Sequence, residues 1–132
     1  SGNPGPGGWA YIRRRGDEVV EASGGERDTT NNRMELTAVI EGLRSIPESS
    51  RVELWSDSQY VLKGLEEWME NWKARGWKTA AKKPVKNVEL WKCLDELRRV
   101  HTLSFHWIRG HSDHPENERA DELAVMARDR FM

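Results

Sequence analysis

Three carboxylates, Glu35, Asp57 and Asp121, lie near the ends of three separate segments of this chain. Carboxylate oxygens are hard ligands. A set of them suits Mg²⁺ or Mn²⁺, ions that typically stay bound to substrate phosphates. Asp57 follows the run Arg51-Val-Glu-Leu-Trp-Ser56, in which Val52, Leu54 and Ser56 alternate with Glu53, Trp55 and Asp57. A period of two in apolar and aromatic residues predicts a strand, and a helical pattern starts just beyond it. Asp57 then stands at the carboxyl end of a strand, the usual place of a ligand crevice in an open α/β sheet. The competing reading is that Asp57 or Ser58 caps the next helix. Glu35 falls in the first turn of another helix, beside Ala38, Val39 and Gly42, a side too small and apolar to face open water. Asn32 and Glu35 also have the spacing of a capping box, so this carboxylate either caps its helix or leans toward Asp57 to share a metal. Asp121, with Glu118, flanks the stripe Ala120, Leu123, Ala124 and Ala127 of a final helix, which Pro115 can open.

A second group of residues suits a polyanion. Trp68, Trp72 and Trp77 fall within one short stretch, together with Lys73, Arg75, Lys78, Lys82, Lys83 and Lys86, and no acid lies between 73 and 86. Cations meet phosphates, and flat rings lie against sugar or base faces. The alternative is a solvated amphipathic helix with core tryptophans. A carboxylate cluster beside a cationic, aromatic surface implies phosphodiester chemistry, with two ions activating a water and stabilising the leaving oxygen. His111, in the loop Arg109-Gly-His-Ser-Asp-His114, is placed to shuttle protons or ease product release. His101 and His106 read as ordinary surface or strand residues. Cys93 is the only cysteine, expected as a core filler, and with the histidines it makes no zinc pattern. No nucleophilic triad and no glycine-rich nucleotide motif is present.

These residues need elements to hold them. The 132 residues, 36% hydrophobic and 33% charged with a net charge of −1, make one soluble globular domain, and its strand patterns interleave with helix patterns as in an α/β chain. Residues 1–8, rich in glycine and proline, predict a loop. Strands over 9–15 and 18–23 join through Arg15-Gly16-Asp17 as a hairpin. A helix carries Leu36, Val39, Ile40 and Leu43. After the 51–56 strand, a helix from Ser58 buries Val61, Leu62 and Leu65, and another over 87–100 buries Leu90, Trp91, Leu94 and Leu97. A strand over 102–108 precedes the last helix. No run is long and apolar enough to span a bilayer, and no leader or lipidation motif is seen, so the expectation is a cytoplasmic monomer with no membrane or obligate protein partner.

The strings Gly-Asn-Pro-Gly-Pro-Gly-Gly (2–8), Thr-Thr-Asn-Asn-Arg-Met-Glu-Leu (29–36), Asp-Ser-Gln-Tyr (57–60), Trp-Lys-Thr-Ala (77–80), Pro-Val-Lys-Asn-Val (84–88), Gly-His (110–111) and His-Pro-Glu-Asn-Glu-Arg-Ala-Asp-Glu-Leu-Ala (114–124) resemble bacterial ribonuclease H type 1, in order and over nearly the whole chain. The resemblance implies a mixed β-sheet flanked by helices, with a basic protrusion. It also implies an endonuclease that cuts the RNA strand of RNA–DNA hybrids to leave 5′-phosphate and 3′-hydroxyl ends. Glu35, Asp57 and Asp121 match three of that family's four metal-binding carboxylates, and His111 its loop histidine. Asn3, Asn31, Asn32 and Gln59 match contacts to the hybrid in its minor groove, and 68–86 match the protrusion that holds the DNA strand. In the family, a central strand with the fourth ligand precedes the Gly-Asn-Pro loop. That strand is absent from this sequence, so the chain is expected to be incomplete at its N-terminal side or to receive the strand from elsewhere. A hybrid-binding module without catalysis is the competing reading, and a nuclease acting on duplex DNA is a third.

Overall fold

Residues Gly5–Arg15 (β1) and Glu18–Thr29 (β2) form a long antiparallel hairpin, with Arg15 opposite Glu18 across the expected turn. The computed structural model describes residues 4–109 and 114–132. The hairpin exceeds the sequence expectation at its open end. Residues 5–8, expected as loop, are extended and paired, with Gly7 opposite Glu26 and Gly8 opposite Gly25. Glycine is a poor strand former in isolation, but it allows another backbone to approach closely. A Cβ on Gly8 would lie 1.9 Å from the carbonyl oxygen of Ala124 in the last helix, so close packing of that helix requires a bare backbone here.

Thr30 caps α1 (Asn31–Arg44), its hydroxyl accepting from the Arg33 amide at 3.3 Å. The helix buries Met34 together with the expected Leu36, Val39, Ile40 and Leu43. Next come β3 (Arg51–Ser56), α2 (Gln59–Lys63), a π-helical turn (Gly64–Trp68), α3 (Met69–Ala74), α4 (Val88–Val100), β4 (Thr102–Trp107) and α5 (Pro115–Asp129). β4 pairs parallel with β3 from Arg51/Thr102 to Ser56/Trp107, and α5 packs on β1 and β2. Strand directions are therefore mixed, antiparallel in the hairpin and parallel between β3 and β4, in two two-stranded sheets among the described residues. Among the described residues, no backbone hydrogen bond joins β1 to β3.

A groove of about 670 Å³ runs between these two strands and is lined by successive residues of each, 8–15 and 50–57. Successive strand side chains point to opposite faces. A groove lined by all of them must face the strand edges. Arginines brace one end of it. Arg15 reaches Ser50 Oγ at 3.3 Å and Glu48 at 2.6 Å, while Arg13 donates to the Ser45 carbonyl at 2.5 Å. The carboxyl end of β3 lies at the other end.

The core joins Leu36, Val39, Ile40 and Leu43 of α1 to Val61, Leu65, Met69, Val85, Trp91 and Leu94. Trp91 is fully buried, with Trp72 and Tyr60 edge-on at 5.2 and 5.4 Å and its indole N–H donating to the Tyr60 hydroxyl at 3.1 Å. Trp68 lies 5.9 Å from Trp72, and Trp77 also packs against the core. The three rings read as faces for a sugar or base are each half-buried: Trp72 and Trp77 cover part of their area against the core, where it is worth more than against water, while Trp68 sits beside Tyr60 and Trp72 outside that core. His101 departs from the surface reading too. It is buried, and its Nδ1 accepts from the Ser50 amide at 3.2 Å. Cys93 packs beside the core as expected. No helix among the described residues is long and apolar enough to cross a membrane.

Candidate active site

Ser58, not Asp57, caps α2. Its hydroxyl accepts from the Val61 amide at 3.2 Å, and its own amide donates to Ser56 Oγ at 3.0 Å. That leaves the Asp57 carboxylate free of the helix. Among the described residues its one hydrogen bond comes from Asn117 Nδ2 at 3.4 Å. The capping question at Glu35 resolves in the same direction. Thr30 takes the cap, so Asn32 is already inside the helix, and Glu35 lies beyond the first turn and caps nothing. The sequence expectation of an Asn32–Glu35 capping box is corrected by the extension of β2, which delivers Thr30 to the cap position. Asp121 is held on α5, whose start is set by His114, with Nδ1 accepting from the Asn117 amide at 3.2 Å.

Glu35, Asp57 and Asp121 line the same groove together with Asn117. Their electrostatics record the proximity. Burial, with the charges of Asp57 and Asp121 acting in the same direction, pushes the Glu35 carboxyl up to about 7. Asp121 is raised by burial and by the charge of Asp57. Carboxylates grouped so that the charge of one raises a neighbour's proton affinity are the donor chemistry for a divalent cation. Their charges and their shared groove fit such an ion, although among the described residues they do not close into a ready three-ligand cluster.

The Glu35 shift sets a pH dependence of stability. This carboxyl binds its proton more tightly in the folded chain, near pH 7, than in the unfolded chain, near 4.5. Its contribution to stability is therefore full below pH 4.5 and is lost as pH rises through 7. In metal-free buffer, urea unfolding of wild type minus that of Glu35→Gln should show wild type losing about 3 kcal/mol between pH 4.5 and 8. A pH-independent difference would mean that Glu35 is solvated like an ordinary carboxylate.

The remaining candidates separate by place. Asn31 is exposed and Asn32 half-buried in the first turn of α1, close in sequence to Glu35. Gln59 is exposed at the start of α2, two residues from Asp57. Arg75, Lys78, Lys82, Lys83 and Lys86 are exposed on the 75–86 segment, which is folded: Lys78 bridges Pro84, and the Thr79 amide donates to the Lys83 carbonyl at 2.8 Å. A surface depression lies among Arg75, Lys78, Thr79, Ala80 and Lys82. Lys73 is placed differently, 3.2 Å from Asp95 and 3.7 Å from Glu70. Asn3 and His111 lie outside the described residues. Asn117 was not picked out from the sequence. The available signal was its spacing, four residues before Asp121 on one helix face.

Comparison with known proteins agrees with this architecture. The family model for RNase H matches residues 1–129. The chain is 61% identical over 124 residues to the ribonuclease H of Brucella anthropi, covering 94% of this chain and 80% of that protein. It is similar in structure to LC9-RNase H1, a type 1 RNase H with the type 2 active-site motif, with a TM-score of 0.77 and 28% identity over 100% of this chain and 75% of that one. It is also similar to LC11-RNase H1, solved in complex with an RNA/DNA hybrid, with a TM-score of 0.68 and 25% identity over 98% of this chain and 91% of that one.

Proposed function

Because this chain belongs to the ribonuclease H family, we propose that it hydrolyses the RNA strand of RNA–DNA hybrids. The observation that carries the reading is the convergence of Glu35, Asp57 and Asp121, from α1, the end of β3 and α5, on one groove. Together they would hold Mg²⁺ or Mn²⁺. When bound, such ions, as a pair, supply Lewis-acid stabilisation of the phosphoryl oxygens and a more acidic water. Water adds to phosphorus and the bond to the 3′-oxygen breaks. The water proton passes to solvent and the leaving oxygen takes one up, giving 5′-phosphate and 3′-hydroxyl ends. His111 is the proposed carrier for that proton traffic.

The amides of Asn3, Asn31, Asn32 and Gln59 suit the 2′-hydroxyls displayed in the wide, shallow minor groove of a hybrid. Arg75, Lys78, Lys82, Lys83 and Lys86 suit the phosphates of the DNA strand, holding it without reading sequence. The same reading makes the protein a cytoplasmic monomer. A binding module without catalysis is not favoured, since the relatives are ribonucleases.

The test is cleavage of a hybrid labelled on either strand, with Mg²⁺, with Mn²⁺ and with chelator. Cuts confined to the RNA strand and abolished by chelation are expected. Binding without cutting, or equal cutting of duplex DNA, would remove the assignment.

A further inference from the structure

We propose that Asp95 is a positioning residue for the cationic segment 75–86, and that Lys73 belongs to its anchor rather than to the phosphate-binding surface. The proposal rests on the hybrid-cleavage reading. Asp95 is on α4, its side chain only 7% exposed, yet it gathers three cations. Its Oδ1 accepts from Lys73 Nζ at 3.2 Å and from Arg98 Nε at 3.1 Å, and its Oδ2 from Arg99 at 2.8 Å. Arg98 continues the network, donating to the Leu65 carbonyl in the π-helical turn at 3.2 Å and to Glu70 of α3 at 2.6 Å.

This network therefore grips both pieces of helix that lead into the cationic segment: the π-helical turn through Leu65, and α3 through Glu70 and Lys73. Arg75, two residues past Lys73, begins the segment, its amide bonded to the carbonyls of Asn71 and Trp72. Trp77 and Val85 seat the base of the segment on the core by apolar packing, which resists separation more than rotation. Directional charge-assisted hydrogen bonds supply the missing constraint on orientation. Among the described residues no ion pair involves Lys78, Lys82, Lys83 or Lys86, so these cations stay open to a polyanion, while the Lys73 ammonium is already engaged by Asp95 and Glu70.

The experiment compares Asp95→Leu, Lys73→Met and Lys82→Met with wild type in steady-state cleavage of a hybrid across a salt series, with thermal unfolding in parallel. Asp95→Leu should raise KM by about tenfold with kcat nearly unchanged. Lys82→Met should flatten the dependence of log KM on log salt by about one unit, as loss of one phosphate contact does, and Lys73→Met should leave that slope as in wild type. A lowered Tm with unchanged KM in Asp95→Leu would make the network purely structural and overturn the proposal. A slope loss in Lys73→Met equal to that in Lys82→Met would overturn it as well. Should Asp95→Leu fail to fold, the two lysine variants still decide. Failure of the underlying function is separate, because wild type itself would then leave the hybrid uncut.

Discussion

Asp57→Asn should lose hybrid cleavage by about 10³-fold while still binding the hybrid, because removing a metal-holding carboxylate forfeits several kcal/mol of transition-state stabilisation. The structure makes this substitution unusually clean. Ser58 performs the capping of α2, so the Asp57 side chain has no structural duty there. Its loss also removes a negative charge that raises the proton affinity of both Glu35 and Asp121. The variant should therefore be no less stable than wild type in metal-free buffer, and its Glu35 should titrate below 7. Ser58→Ala is the complement. It should lose about 1 kcal/mol of stability with the cap and keep turnover. Binding by fluorescence anisotropy, cleavage by gel and unfolding by urea separate these outcomes. Undiminished turnover in Asp57→Asn would remove Asp57 from the site.

Trp91→Ala should cost about 3–5 kcal/mol, a large share of the about 5–15 kcal/mol that holds a domain of this size together. The indole is fully buried and its N–H donates to Tyr60, so truncation empties volume and strips the half-buried Tyr60 hydroxyl of one of its two donors. Trp91 also explains the glycine in the π-helical turn. A Cβ on Gly64 would meet the Trp91 ring at 2.0 Å, so Gly64→Ala should overpack the core by about 1–3 kcal/mol. The two effects are not independent. With the ring removed, the alanine at position 64 has room, and the double variant should be more stable than the sum of the single losses allows. Strict additivity in urea unfolding would show that the ring and the glycine do not oppose one another.

The parts legible in the sequence were those governed by local physics. Alternation marked β3 over Arg51–Ser56, its residues chosen by one strand's two faces. The spacing of Leu36, Val39, Ile40 and Leu43 marked α1, and Pro115 marked the start of α5. The three carboxylates could be picked out from the sequence, but for Glu35 and Asp57 the capping alternative stayed open until the structure gave those caps to Thr30 and Ser58. Where the reading departed, the deciding partner was distant in sequence. Residues 5–8 became strand because β2 extends to pair with them, and at Gly8 the bare backbone admits Ala124 of α5. Trp72 and Trp77 became half-buried because Trp91 and its neighbours offered apolar surface beside them.

The sequence by itself determined the α/β class, the order of its elements and which oxygen-bearing side chains were available for chemistry, since these follow from residue type and period. Only the tertiary structure decided that Thr30 capped α1 and Ser58 capped α2, and so left Glu35 and Asp57 free of those caps. It alone joined Asn117 to Asp57 and tied Lys73 to Asp95. These last two contacts depend on a hydrogen bond and a charge pair across long sequence separations, where no local pattern specifies the partner.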